Sequence, residues 1–299
     1  MIYASTLLNR GYILLSGEDR EAFLQGLLTN DISKIRQDQS IYALLLTPQG
    51  KYCYDLIISQ INNESWAIEG DADRLQELIK RLNLYKLRSQ VTIAADSEHC
   101  VVVLWSPHSG DTDNLVAEAL SLPFHPGATQ SSSLWIAMMD PRLMALGARL
   151  RIKRTQVDHL VDCLGVTLVD EAEYCYHRVT HGVPESAAEL IVDKSIPLEC
   201  GMDELNAIDW DKGCYVGQEL TARTRYRGLV RKRLVPLTTM GAINHGDPIM
   251  AGDAEVGSWY IRSRDCGLAL VRLEALAKPL TCGGVEVLPM VPHWMKFGE

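Results

Sequence analysis

The sequence predicts an α+β chain that ends in an all-β module. Three observations carry this. Up to Gly228, apolar residues recur alternately at helical and at strand spacing. Beyond Gly228 helical spacing gives way to short strand-like runs broken by Gly-Asp and Gly-Gly, the texture of a compact antiparallel barrel. Hydrophobic residues at 47% and charged residues at 22% of 299 are globular values that exclude global disorder.

In chain order, Ser16-Gly17-Glu18-Asp19 reads as a capping box before a helix with Phe23, Leu24, Leu27 and Leu28 on one face, closed by Asn30-Asp31. "IYALLLT" and "YCYDLIIS" read as two strands joined by the turn Pro48-Gln49-Gly50-Lys51. Asp71 opens a helix whose Leu75, Leu78, Ile79 and Leu82 fall at i, i+3, i+4 and i+7. Strands follow at 91–95 and 100–105, then an irregular stretch over 106–133 rich in Ser, Pro, Gly and Asp. Residues 155–164 present Val157, Leu160, Val161 and Leu164 as a helix stopped by Gly165, and 170–181 reads as another closed by Gly182 and Pro184. "RKRLVPL", "DPIMAGDAEVGSWYIRS" and "GLALVRL" are the strands of the C-terminal module.

The longest apolar runs are strand-sized, which argues against a membrane span. The N-terminus lacks a secretory or presequence pattern and reads as a mature cytosolic start; a mitochondrial matrix protein trimmed of its leader would read the same way. The formal net charge of −9 disfavours nucleic acid and anionic membranes as partners. Of the eight cysteines no two form CxxC, which argues against a self-contained zinc or iron–sulfur cage, and most read as buried free thiols.

The densest chemistry lies in "DKGCYVGQELTARTRYRG", residues 211–228. Gly213 and Gly217 bracket Cys214-Tyr215-Val216 and predict positive φ or a close backbone approach. Lys212, Arg223, Arg225 and Arg227 place cations near the thiol, which favours a reactive or metal-competent thiolate. Read as extended, Thr221–Arg227 aligns its three arginines on one face, suited to carboxylates or phosphates. Gln218 and Glu219 offer donors and acceptors for a planar heterocycle.

"KGCYVGQELTAR" resembles the signature of YgfZ-type proteins, relatives of the glycine-cleavage T-protein (aminomethyltransferase) family. Similar stretches span most of the chain: "FLQGLLTNDI", "LLLTPQGKYCYD", "LYKLRSQV", "DPRLMALGARL", "HGVPES" and "RKRLVPL". The form "HGVPES…IPLECGMDELNAIDWDKGCYVGQELTART" is nearest the branch of the mitochondrial iron–sulfur assembly factor. The resemblance implies an α+β, T-protein-like three-domain ring with a central cavity and a C-terminal antiparallel β-barrel. The domains it implies are 1–30 with 134–228, 31–133, and 229–299. It implies assembly or maintenance of [4Fe–4S] proteins, a tetrahydrofolate-type cavity, and partners among iron–sulfur carriers, scaffolds and client enzymes. Cys214 is then a ligand of a transient cluster shared with a partner, or a redox thiol. Lys212, Gly213, Tyr215, Gly217, Gln218, Glu219, Arg223, Arg225, Arg178, Tyr54, Asn30 and Asp31 are the cofactor-binding candidates.

The chain departs from T-proteins in two places. Tyr54-Asp55 stands where they carry Asp-Asp, and tyrosine is no carboxylate near neutral pH. "HRVTHG" at 177–182 matches their "LRLEAG", which puts Thr180 at the pterin-binding glutamate, with Glu199 or Glu219 as substitutes to look for. Folate-dependent aminomethyl transfer is therefore the alternative function, and a polyanion-binding module the third. His177 and His181 have metal-pair spacing without a third ligand and read as pocket-lining or capping.

Overall fold

The structure, a computed structural model, describes residues 1–107, 113–187, 189–228 and 230–297. The chain forms two compact units. The first comprises Met1–Leu46, Tyr54–Tyr174 and Asn206–Val216; the second comprises Thr47–Cys53, Cys175–Leu205 and the chain from Gly217.

The first unit holds two sheets. Strands Ile41–Leu46, Tyr52–Asn62, Ser65–Asp71, Arg10–Ser16 and Thr92–Asp96 lie in that order in one. Thr167–Leu168, Tyr3–Leu7, His99–Trp105, Ala148–Lys153, Trp135–Met139 and Thr129–Ser131 form the other. Residues Tyr52 to Ser59 are all buried, so this strand is covered on both faces and its two-residue alternation does not separate core from solvent. Leu7, Tyr12, Ala67, Val101, Val103, Trp105 and Tyr174 form one apolar cluster joining residues of both sheets.

Six α-helices are described: α1 (Arg20–Gln25), α2 (Leu75–Lys86), α3 (Asp113–Ala119), α4 (Val157–Leu164), α5 (Glu171–Thr180) and α6 (Gln218–Tyr226). Among the described residues no helix is long and apolar enough to cross a membrane. Leu78 and Leu82 are the buried residues of α2, and Leu160 that of α4, as their spacing predicts. Gly165 ends α4 in the left-handed conformation.

Three expectations need correction. The capping box before α1 does not form: Asp19 makes no cap bond, accepting instead from the Gln90 amide, and Ser16 ends a strand. The stretch 106–133 contains α3, whose Val116 and Ala117 pack in the core, and the strand Thr129–Ser131; residues 108–112 lie outside the described residues. Residues 218–226 are helical, not extended. In that helix Arg223 and Arg225 stand two residues apart, about 200° around the axis, so no three-arginine face exists.

Between the sheets of the first unit lies an ionic network that the sequence did not disclose. Arg10 donates to Asp55 at 2.9 Å and to Glu69 at 2.9 Å; Arg149 pairs with Glu69 at 2.5 Å and reaches Asp140 at 3.4 Å. Arg142 pairs with Asp140 at 2.8 Å. Every side chain in it is at most 1% exposed, and three cations meet three carboxylates, the balance that makes charge burial tolerable. Asp55 is thereby spent on Arg10.

The second unit carries a closed six-stranded barrel: Lys232–Thr239, Cys266–Arg272, Ala254–Ser263, Pro248–Ala251, Leu280–Cys282 and Val285–Pro289. Among the described residues its strand pairings are antiparallel. Its core includes Val235, Leu237, Ile249, Trp259, Val271 and Val287. Closure removes the exposed edges of a small sheet.

Candidate functional site

The segment 206–216 is sewn onto residues 25–34 by a dense set of bonds. Thr29 donates its hydroxyl to the Ala207 carbonyl at 2.6 Å, and the Asp209 amide returns a bond to the Thr29 carbonyl. Asn30 donates from its side-chain amide to the carbonyls of Tyr42 and Asn206. Asp209 accepts from the amides of Asp211 and Lys212, folding the chain into an Asx turn, and pairs with Lys34 at 2.5 Å. Burial alone would raise the Asp209 carboxyl, but Lys34 and these amides outweigh it and hold it below its ordinary value.

Lys212 is the central tie. Its ammonium donates to the carbonyls of Gln25 at 2.9 Å, Leu28 at 2.7 Å and Asn30 at 2.7 Å. An ammonium has three protons, so all are consumed. Burial pulls its pKa down to about 8, against the attraction of Asp31 and Asp209. The Val216 amide donates to the Gly26 carbonyl. Tyr215 is buried, its ring centroid 5.4 Å from the Lys212 nitrogen, and burial raises its hydroxyl to about 12. Between the two buried anchors, Lys212 and Tyr215, Gly213 and Cys214 are exposed.

Exposure separates Cys214 from most other thiols. Cys53, Cys100, Cys200, Cys266 and Cys282 are buried and Cys175 is half-buried; Cys163, beside His159 on α4, is the other exposed one. Burial pushes the thiols of Cys200 and Cys266 up to about 12 and Cys282 to about 11, and raises Cys100 and Cys175. These are packing residues.

The two motif glycines differ. Gly217 has φ 84° and starts α6 from the left-handed region, as expected. Gly213 has no positive φ, and a Cβ placed there meets nothing within 4 Å. The positive φ or close approach that glycine permits is therefore not used at Gly213 within this chain. In the second unit, Gln218, Glu219, Arg223 and Arg225 lie on α6, with Glu219, Arg223 and Arg225 exposed and only Thr221 of the helix buried.

Several of the remaining candidates have partners within the protein. Arg178 is buried in a bidentate pair with Glu189, 2.6 Å on each arm, and also donates to the Val183 carbonyl. Tyr54 is buried with the Arg74 guanidinium 4.1 Å from its ring centroid. Thr180 donates to the His177 carbonyl. Asp31 takes bonds from Gln25 and Ser33. His181 Nδ1 lies 2.7 Å from the His177 carbonyl, which is the capping role. Burial raises the Glu199 carboxyl, opposed by Lys232 and Lys51; Glu219 is exposed. The resemblance places these positions around a folate; here Arg178, Thr180 and Asp31 spend polar atoms within the protein, and Arg74 lies over the Tyr54 ring.

Comparison with known proteins agrees with this architecture. Residues 7–124 match the GCVT N-terminal domain, and residues 231–297 match the CAF17 C-terminal beta-barrel domain. A protein of Neosartorya fischeri named iron-sulfur cluster assembly factor IBA57 homolog, mitochondrial, is 36% identical over 257 residues, covering 77% of this chain and 56% of its own. A Neurospora crassa protein of the same name is 36% identical over 241 residues, covering 77% and 52%. The chain thus spans about half the length of these curated relatives. Among solved structures, the glycine cleavage system aminomethyltransferase T of Bartonella henselae superposes with a TM-score of 0.78 at 14% identity, over 98% of this chain and 86% of that one. The fold is aminomethyltransferase-like. The chain thus joins a segment matching the GCVT N-terminal domain to one matching the CAF17 C-terminal beta-barrel domain, and over 77% of its length it is similar to proteins named as iron-sulfur cluster assembly factors.

Proposed function

We propose that the protein assembles or maintains iron–sulfur clusters, with Cys214 contributing one thiolate to a cluster completed by a carrier partner. The observation that carries this reading is an exposed sulfur on a loop whose base is clamped by the three Lys212 bonds. A cluster needs about four ligands, and among the described residues no group of three or more His, Cys, Asp or Glu could hold a metal ion. One donor held rigidly and presented outward suits a cluster shared across an interface, because binding then costs little ordering of the loop. The open space over Gly213 leaves room for a partner's ligand beside the sulfur. The relatives' name is carried over to this chain on the same basis, including client iron–sulfur proteins as partners and a mitochondrial site of action.

The chain's own residues do three things in this scheme. Lys212 and Asp209 fix the loop, Tyr215 buries its far side, and the Cys214 thiol loses its proton to solvent or partner as the metal bond forms. The test mixes the protein anaerobically with a cluster-loaded carrier and follows complex formation and visible absorption. The wild type is expected to form a complex that retains the cluster; Cys214→Ser, with an unchanged melting temperature, is expected to lose the cluster signal. An unchanged spectrum in that variant removes the ligand role.

A further inference from the structure

Two adjoining clefts in the second unit are far more basic than the chain as a whole. The first, about 300 Å³, is lined by Arg225, Arg233, Lys296 and Asp203, with Leu198 and Phe297 as apolar wall. The second, about 510 Å³, shares Val230 and Leu273 with it and adds Arg231, Lys232 and Arg272. Six cations gather in a protein of formal net charge −9. The local carboxylates are fewer: Asp203 and Glu274 in the lining, the latter 3.6 Å from Arg272, with Glu204 paired to Arg233 and Glu199 interacting with Lys232.

Arg233 is the fixed point of the first cleft. It is 5% exposed, held by Glu204 and by the Leu198 carbonyl, and its guanidinium lies 5.7 Å from the centroid of the Phe297 ring. Among the described residues, two buried polar atoms of the lining have no hydrogen-bond partner, Arg233 Nε and Asp203 Oδ1. Native interiors rarely leave such atoms unpaired, and an orphan donor and an orphan acceptor at one cleft point to a missing group.

We infer that this pair of clefts binds a small organic anion that also carries a hydroxyl, either a hydroxycarboxylate or a phosphorylated polyol. Anionic oxygens answer the cation excess, and guanidinium groups favour carboxylate and phosphate oxygens. A hydroxyl both donates and accepts, so it can answer either Asp203 Oδ1 or Arg233 Nε, whereas a bare anion such as sulfate can only accept. The volumes fall in the ordinary range for small-molecule sites, roughly 300–1,000 Å³. The inference does not rest on cluster handling, and its test needs no cluster.

The experiment is titration calorimetry of the full chain at low salt with citrate, with glycerol 3-phosphate, and with tricarballylate, which is citrate without its hydroxyl. One of the first two is expected to bind saturably, and which one decides between the two sources. For citrate, affinity is expected to exceed that for tricarballylate by about tenfold, a gap that Asp203→Ala closes. The double variant Arg225→Ala/Lys296→Ala, changed only at exposed positions and checked by its melting curve, is expected to weaken binding by about tenfold or more. The inference is overturned if neither probe gives saturable heat at millimolar concentration, or if the double variant binds as the wild type does.

Discussion

Lys212→Met tests the clamp under Cys214 directly. Methionine keeps most of the side-chain volume and removes all three donors. The carbonyls of Leu28 and Asn30 lose bonds that are buried, and that of Gln25 loses one that is partly buried. Each buried carbonyl left without a donor costs about 1–3 kcal/mol. The loss is partly offset because a desolvated ammonium, the cause of the lowered Lys212 pKa, disappears. A net destabilisation of about 2–5 kcal/mol follows, local to the loop. Chemical denaturation reads its size, and amide exchange reads its place. Protection at Lys212 and Val216 should fall while the barrel strand Lys232–Thr239 keeps its own. Lys212→Arg should not rescue, since a planar fork cannot aim three donors at a tripod of carbonyls. A loss under about 0.5 kcal/mol, or equal loss of protection in the barrel, would refute the clamp.

Three further outcomes are expected. Brief native alkylation with iodoacetamide should modify Cys214 and Cys163 first, and mass spectrometry of Cys214→Ser should show one fast site; rapid modification of Cys200 or Cys266 would contradict their burial. Gly213→Ala should leave the melting temperature unchanged, because its Cβ meets no atom of the protein, yet weaken assembly with a cluster-loaded carrier; a large melting shift would show that the loop is misread. Acid should destabilise the fold. Burial raises Asp31, Asp96, Asp140 and Asp209, but Ser33 and Gln25, His99 and Arg151, Arg142 and Arg149, and Lys34 respectively outweigh it and hold all four below their ordinary value. Their contribution is complete above the unfolded carboxylate value of about 3.9 and is lost as pH falls through the folded values. A urea midpoint that stays flat between roughly pH 5 and pH 2 would show that these pairs do not stabilise the folded state.

The sequence alone determined what depends on near neighbours. Helical spacing placed the buried Leu78 and Leu82 of α2 and Leu160 of α4, and Gly165 and Gly217 announced their left-handed turns. Gly-punctuated strands announced the barrel, since local alternation and turn residues suffice to specify antiparallel neighbours. The motif also singled out Cys214. Only the tertiary structure decided which polar side chains are available. Lys212, Asn30, Arg178 and Tyr54 read as ligand-facing along the chain. Lys212 and Asn30 spend donors on backbone carbonyls, Arg178 is paired with Glu189, and Arg74 lies over the Tyr54 ring. The Arg10–Asp55–Glu69–Arg149–Asp140–Arg142 network joins residues up to 80 positions apart. Such partners are chosen by the low-dielectric interior that forces every buried charge to find its counterpart, and that requirement leaves no periodic mark on the sequence.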